Sequence, residues 1–260
     1  MKQYIVDAFT STPFSGNPAA VCVMDAWPSD ASMMRLAAEN NLSETAFIVK
    51  ELQVYHLRWF TPGTEVTLCG HATLAAAFVM LNFYEKDAPS MTFHTLSGAL
   101  TVTKNGALYE MNFPTYRLED MPVTDAMAEA FGARPTKALL GMDLIAIFDN
   151  EETVRSMTPN QALLATLPGR LQNVTARGHA VDCVSRSFGP KVAIIEDPVC
   201  GSAHCQIADY WAHVLDKQTI RAYQASKRGG YLTCTLLDGG RIAISGEATL
   251  VAIADIVIPL

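Results

Sequence analysis

The chain has 260 residues, enough for two small domains or one large one with a sizeable buried core. Half of the residues are hydrophobic and 17% are charged, which is the balance of an ordinary globular protein and not of a disordered one. A formal charge of −7, with no run of clustered Lys or Arg, excludes the electrostatic footprint of a nucleic-acid-binding protein.

The N-terminal stretch MKQYIVDAFTSTPFSGNPAAV breaks its apolar residues with Asp7 and then with turn formers, unlike the unbroken core of a secretory signal. No apolar run reaches the roughly 18 residues of a membrane span. A cytoplasmic location without a membrane partner is therefore expected. Short strand-like runs dominate the first half: KQYIVDAF, AAVCVM, TAFIVK, VYHLRWF, MTFHT, ALTVT and ALYEMNF, punctuated by Gly, Pro, Ser or Asn. Two helices interrupt them, DASMMRLAAENN after an Asp30 cap candidate and HATLAAAFVMLNFYEK, which is apolar nearly all round and so reads as enclosed by protein. The Pro-containing segment PTYRLEDMPVTD marks a domain junction, giving domains 1–116 and 117–260, with the last strand able to cross back to the first.

The second half continues with strands at LLGMDLIAIFD, LQNVTAR, HAVDCVSRSF, KVAIIE, IRAYQA, YLTCTLL, RIAISG and LVAIADIVI, and helices at VTDAMAEAFG, TPNQALLATLP and SAHCQIADYWAHVLDK. The two halves share an order of elements. Arg58-Trp59-Phe60-Thr61-Pro62, an apolar strand and Cys69-Gly70-His71-Ala72 are matched by Arg186-Ser187-Phe188-Gly189-Pro190, an apolar strand and Cys200-Gly201-Ser202-Ala203, the second copy being three residues longer. Helix N-termini carry unpaired N–H groups and positive partial charge, so two such ends, at Gly70 and Gly201, facing each other across an interdomain cleft would suit a carboxylate ligand.

Several residues could carry chemistry. Glu44, in NLSETAF, reads either as a solvated loop acid or as a general base whose pKa is raised in a semi-closed apolar cleft. His71, at a helix start whose positive end disfavours imidazolium, reads as a neutral donor/acceptor or a local cap. Asp197 fixes a turn before Pro198 or carries a proton. Ser202 is first an N-cap candidate and second a substrate donor. Cys69 and Cys200, each at a helix start expected to lower its thiol pKa, could work as the two acid/base groups of a racemase. Six cysteines without Cys-x-x-Cys do not describe a disulfide framework, and Cys22, Cys183 and Cys234 read as packing residues. Cys69-x-His71 and Cys200-x3-His204-Cys205 lack a recognised zinc spacing, so no metal is expected. Gly16-Asn17-Pro18 and Lys227-Arg228-Gly229-Gly230 read as turns. No Gly-x-Gly-x-x-Gly and no P-loop is present, leaving nicotinamide, flavin and nucleotide cofactors without support.

Taken together, DAFTSTPFSGNPAAV, LSETAF, RWFTPGTEVTLCGHATLAAA, EDPVCGSAHC and SKRGG resemble the phenazine-biosynthesis PhzF-like isomerase family, of the diaminopimelate-epimerase-like fold, over essentially the whole chain. The resemblance implies an α+β fold of two pseudo-symmetric domains, each a bent, mostly antiparallel sheet around a central helix. It also implies cofactor-free proton transfer on a small-molecule carboxylate substrate and a homodimer. Carried over by residue, Glu44 is the acid/base, His71 and Asp197 assist it, and Gly70, His71, Gly201 and Ser202 bind substrate. The related epimerases use two cysteines, at positions matching Cys69 and Cys200, but continue with Gly-Asn-Gly where this chain has Gly70-His71-Ala72. That departure favours Glu44, with a Cys69/Cys200 racemase as the runner-up and a non-catalytic carboxylate-binding protein as the third reading.

Overall fold

The computed structural model describes residues 1–257. Two compact units divide the chain: Met1–Asn112 together with the segment from Ser245 onward, and Phe113–Ile244.

In the first unit β1 (Lys2–Ala8) pairs antiparallel with β2 (Asn17–Met24), and α1 (Asp30–Asn40) leads to β3 (Glu44–Glu51), which runs parallel to β2. Helix α1 is capped by Ser29, not by Asp30 as expected, because the Ser29 hydroxyl accepts the Ser32 amide; it stops at Asn41, in the left-handed conformation. Its buried face, Met33, Leu36 and Ala37, has helical spacing and packs on Phe47 and Phe60, whose rings meet edge-on at 5.5 Å. Strand β4 (Val54–Phe60) pairs antiparallel with β3 and with the short β5 (Glu65–Val66). Then comes α2 (Gly70–Val79), buried on nearly every side as its all-round apolar sequence predicts, and widened at its end into a π turn over Met80–Tyr84. Strands β6 (Ser90–Thr95), β7 (Gly98–Asn105) and β8 (Leu108–Pro114) form an antiparallel meander, with β6 also parallel to β4.

The second unit repeats this plan. After β9 (Glu119–Met121) and α3 (Asp125–Phe131), the stretch expected as one strand is a hairpin, β10 (Lys137–Leu140) and β11 (Leu144–Ile147), because Gly141-Met142-Asp143 forms a turn. Two short helices follow, α4 (Glu151–Ser156), which the sequence reading missed, and α5 (Gln161–Leu164). Strand β12 (Gln172–Arg177) runs parallel to β11 and antiparallel to β13 (Cys183–Gly189), which pairs with β14 (Ile194–Asp197). Helix α6 (Gly201–Leu215) leads to β15 (Thr219–Gln224), parallel to β13, and to its antiparallel partner β16 (Gly230–Leu237). Phe131, Phe148, Val174 and Phe188 centre this unit's core. Each such buried side chain contributes about 1.5–3 kcal/mol. Strand β17 (Arg241–Gly246) ends the unit, and β18 (Ala248–Asp255) returns to pair with β1, with a bulge between Ile5 and Val6. Ile258, the end of the last predicted strand, lies outside the described residues.

The repetition reaches individual side chains. Arg58 on β4 forms a two-pronged pair with Glu65 on β5, at 2.7 and 2.8 Å, and lies 5.1 Å from the Phe60 ring. Arg186 on β13 does the same with Glu196 on β14, at 2.7 and 3.0 Å, and lies 5.0 Å from Phe188. The extra three residues of the second copy fall between Pro190 and Glu196, a stretch the chain enters through a 3-10 turn over Pro190–Val192. Among the described residues no helix is long and apolar enough to cross a membrane.

Candidate active site

In the first unit three elements meet at one buried cluster. Cys69 is the last extended residue before α2, so His71 stands in the helix's first turn; Glu44 opens β3, and Asn17 opens β2. The parallel register of β2 and β3, Ala19 opposite Glu44, brings the two strand starts side by side. Glu44 Oε2 is 3.1 Å from His71 Nε2, and neither atom has another hydrogen-bond partner. On the far side of the ring, Nδ1 is 3.2 Å from Asn17 Nδ2 and 3.6 Å from Cys69 Sγ. All four side chains are buried or nearly so, with 8% of the His71 side chain and 13% of the Glu44 side chain exposed.

The electrostatics differ from the sequence expectation. Burial alone pushes the Glu44 carboxyl up, but the charge of His71 and hydrogen bonds from His71 and Cys69 outweigh it, so its pKa is lowered, not raised. Burial likewise disfavours the His71 imidazolium, yet Cys69 and Glu44 hold its pKa well above the ordinary histidine value. The neutral imidazole expected from the helix end is overruled by its acidic neighbours. The pair is thus an imidazolium facing a carboxylate. The Cys69 thiol is pushed up by burial and by Glu44, against weaker lowering by His71 and the Ala72 amide. The expected helix-end activation is lost to burial, and Cys69 is a thiol at neutral pH.

The second unit carries a different set around the start of α6. Its N-cap is Cys200, not Ser202, which lies inside the first turn and accepts from Arg170 Nη2 at 3.0 Å. Arg170 is held in turn by Asp143, fully buried, which also accepts from the Leu171 amide at 3.1 Å and from Gln206 Nε2 at 2.9 Å. Asp197 Oδ1 accepts the Val199 amide at 3.2 Å, the turn before the helix. Gln224 accepts the Cys200 amide at 2.9 Å and donates to the Asp197 carbonyl at 2.5 Å. Cys200 Sγ lies 3.4 Å from Ser202 Oγ, and burial, then the Asp197 charge, push its thiol well up, again opposite to expectation. His204 donates from Nδ1 to the Cys200 carbonyl at 2.7 Å and accepts at Nε2 from Ser185 at 3.1 Å. It is a neutral, satisfied core histidine with a pKa lowered to about 4 by burial.

Glu44, Cys69, Gly70 and His71 are therefore together in one unit, and Asp197, Cys200, Gly201 and Ser202 in the other. Sequence reasoning missed Asn17, Asp143, Arg170, Gln206 and Gln224. For Asn17 a signal existed, since a Gly-Asn-Pro turn opening a strand places a short amide at that strand's end. The repeat also shows where the copies part. Thr45 pairs with Phe60 and Gln172 with Phe188, so register equates Glu44 with Leu171, as motif alignment equates His71 with Ser202. The carboxylate–imidazole pair exists in one copy only.

Comparison with known proteins agrees with this architecture. Residues 6–254 match the PhzC-PhzF family, described as phenazine biosynthesis-like protein. An uncharacterized isomerase of Pseudomonas aeruginosa is 47% identical over 248 residues, covering 95% of each chain. A PhzF-family phenazine biosynthesis protein of Enterococcus faecalis superposes with a TM-score of 0.96 at 47% identity, over 99% of both chains. A probable proline racemase from Agrobacterium radiobacter shares the fold alone, with a TM-score of 0.67 at 10% identity over 99% of this chain and 93% of that one. This chain belongs to the PhzC-PhzF family of phenazine biosynthesis-like proteins and is an isomerase of that family.

Proposed function

We propose that the chain is a cofactor-independent isomerase that moves a proton between carbons of a small metabolite, with Glu44 as the acid/base. One observation carries this reading: a buried carboxylate and imidazole at 3.1 Å whose facing atoms have no other partner, present in one copy of the repeat and replaced by Leu171 and Ser202 in the other. Glu44 is ionised and can accept a proton from carbon; the electron pair left behind moves into the adjoining carbonyl or carboxylate. His71 holds a proton within reach of Glu44, and the Asn17 side-chain amide stands at its other nitrogen. Return of the proton to a different carbon completes the isomerisation without net change in atoms or charge.

The two-thiol racemase is the weaker reading, because burial pushes both Cys69 and Cys200 up and leaves them protonated. Within the second unit, Ser202, with Arg170 beside it and the Gly201 amide at the helix start, offers hydrogen-bond donors suited to a carboxylate. Asp197 assists through the turn it fixes. The assembly expected with this activity is a homodimer, which light scattering tests.

Incubation in D2O with a panel of amino acids and unsaturated or cyclic carboxylates, read by mass spectrometry, tests the reading. Solvent deuterium should enter a C–H position of at least one panel member, and Glu44→Gln should slow that exchange by about 10²–10⁴-fold. Exchange at an unchanged rate in a folded Glu44→Gln removes Glu44 from the mechanism.

A further inference from the structure

The same cluster offers a second chemistry. Cys69 Sγ, a His71 ring nitrogen and a Glu44 carboxylate oxygen all lie within 4.8 Å of one another. Sulfur, imidazole and carboxylate are the three donor types that bind zinc, at about 2.0–2.3 Å from the ion. Tetrahedral coordination at those lengths sets donors about 3.3–3.7 Å apart. An ion takes one ring nitrogen, and at Nε2 Glu44 already stands 3.1 Å away, so the Cys69 thiol, now 3.6 Å from Nδ1, has to turn toward the Nε2 edge to put three donors on one ion. The site is also short of partners in its present form, since Glu44 Oε2 and His71 Nε2 are buried without hydrogen bonds beyond their mutual contact. Sequence spacing could not show this, because Cys69-x-His71 supplies two donors and the third comes from a different strand.

A contrasting cluster, Glu151, Glu152 and His179, has comparable separations but lies largely at the surface. There Glu151 is already engaged by Arg155 and by the His179 amide. It lacks both sulfur and an unpartnered buried atom, and it carries no inference.

We infer that Glu44, Cys69 and His71 form a binding site for one thiophilic divalent cation of the Zn2+ class, and that its occupancy switches off proton transfer. Binding replaces the Cys69 S–H bond by S–Zn and a His71 N–H bond by N–Zn, and both protons go to solvent. Glu44 gives an oxygen lone pair and is no longer a free base. With the ion on Nε2, Nδ1 keeps its proton, and the Asn17 amide beside it orients the ring once its oxygen is turned to accept that proton. Because two protons leave, binding tightens as pH rises. The inhibitory half of the inference rests on the isomerase reading, whereas the binding half stands on the donor set alone.

The test uses the full-length protein stripped of metal, with Co2+ as a visible probe and Zn2+ as competitor. Co2+ should give a thiolate charge-transfer band and tetrahedral d–d bands saturating at one equivalent, and Zn2+ should abolish both. Cys69→Ser should lose the charge-transfer band, and Glu44→Gln and Cys69→Ser should each weaken Zn2+ binding by more than about 100-fold, since losing even an outer partner typically costs 10–100-fold. Absence of a saturable band in the native protein, or its persistence in a folded Cys69→Ser, overturns the site. In D2O, Zn2+ should stop deuterium exchange in step with occupancy, and EDTA should restore it. Exchange that continues at full occupancy overturns the inhibitory role. If the metal-free protein exchanges no panel member while the cobalt bands form as described, the isomerase reading fails and the cation site stands.

Discussion

At the scale of single residues, the central feature is the mutual charge stabilisation of Glu44 and His71, and it has a definite pH signature. A carboxyl held below its ordinary value of 4.5 keeps its base form until the pH falls through that lowered value, so the acid limb of the exchange rate should lie below pH 4.5. His71→Asn removes the lowering charge and leaves burial in place, so the limb should move to higher pH; an unmoved limb would mean that His71 does not set the Glu44 pKa. His204 makes the opposite kind of contribution. Its folded pKa, about 4, lies below the ordinary 6.5, so between those values the unfolded chain binds the extra proton and stability falls as the pH is lowered. That loss amounts to about 3 kcal/mol by pH 4. Urea unfolding at pH 7 and 4.5 should show a smaller difference in His204→Gln than in the native protein. Glu44 and His71 were both legible in the sequence as candidates, but their charge states were not. Helix-end and burial arguments act on each residue alone, whereas the shifts come from the neighbours each group meets in the folded cluster.

At the scale of elements, the repeated Arg–Glu pair fixes the corner between two strands ahead of each central helix. Arg186 is the more deeply set, with 12% of its side chain exposed against 23% for Arg58, and it also donates to the Met157 carbonyl at the end of α4. Arg186→Ala should therefore cost about 3 kcal/mol and Arg58→Ala about half as much, measured by chemical denaturation, because each leaves a glutamate unpaired in partly buried surroundings. Equal and negligible losses would reduce both pairs to surface decoration. Gly16 belongs to this scale as well. Its φ is +68°, and a Cβ there would stand 2.2 Å from the Ala8 carbonyl oxygen. Gly16→Ala should cost about 2–3 kcal/mol and should also slow exchange, since the same turn delivers Asn17 to His71. The Arg-x-Phe-x-Pro repeat was readable as text. Its glutamates were not, because Glu65 and Glu196 stand at unequal distances along the chain and only strand pairing equates them. The hairpin at Gly141 was misread for a related reason: an apolar run with one glycine has the composition of a single strand until the turn is seen.

At the scale of the whole molecule, the chain is two copies of one plan, and the first copy is finished only by the last strand. Strand β18 covers β1 along Lys2–Ala8, so a chain ending at residue 244 should lose the cooperative unfolding of the first unit, seen as missing near-ultraviolet dichroism and fast amide exchange over residues 1–112. Retention of native signals in that truncation would mean that β18 is dispensable. The α+β class, the enclosed helix α2 and the duplicated order of strands were legible because each rests on local periodicity or on repeated text. The divergence between the copies was not, since recognising Leu171 at the place of Glu44 requires the register of four strands. On the proposed mechanism, that divergence places the acid/base pair in the first unit. The most direct test is solvent-deuterium incorporation into the responding panel substrate, compared among the native protein, Glu44→Gln and Cys200→Ser, with folding checked by circular dichroism. Exchange lost in Glu44→Gln and kept in Cys200→Ser is the predicted result. Exchange that survives in Glu44→Gln and vanishes in Cys200→Ser would contradict the account and transfer the chemistry to the thiols.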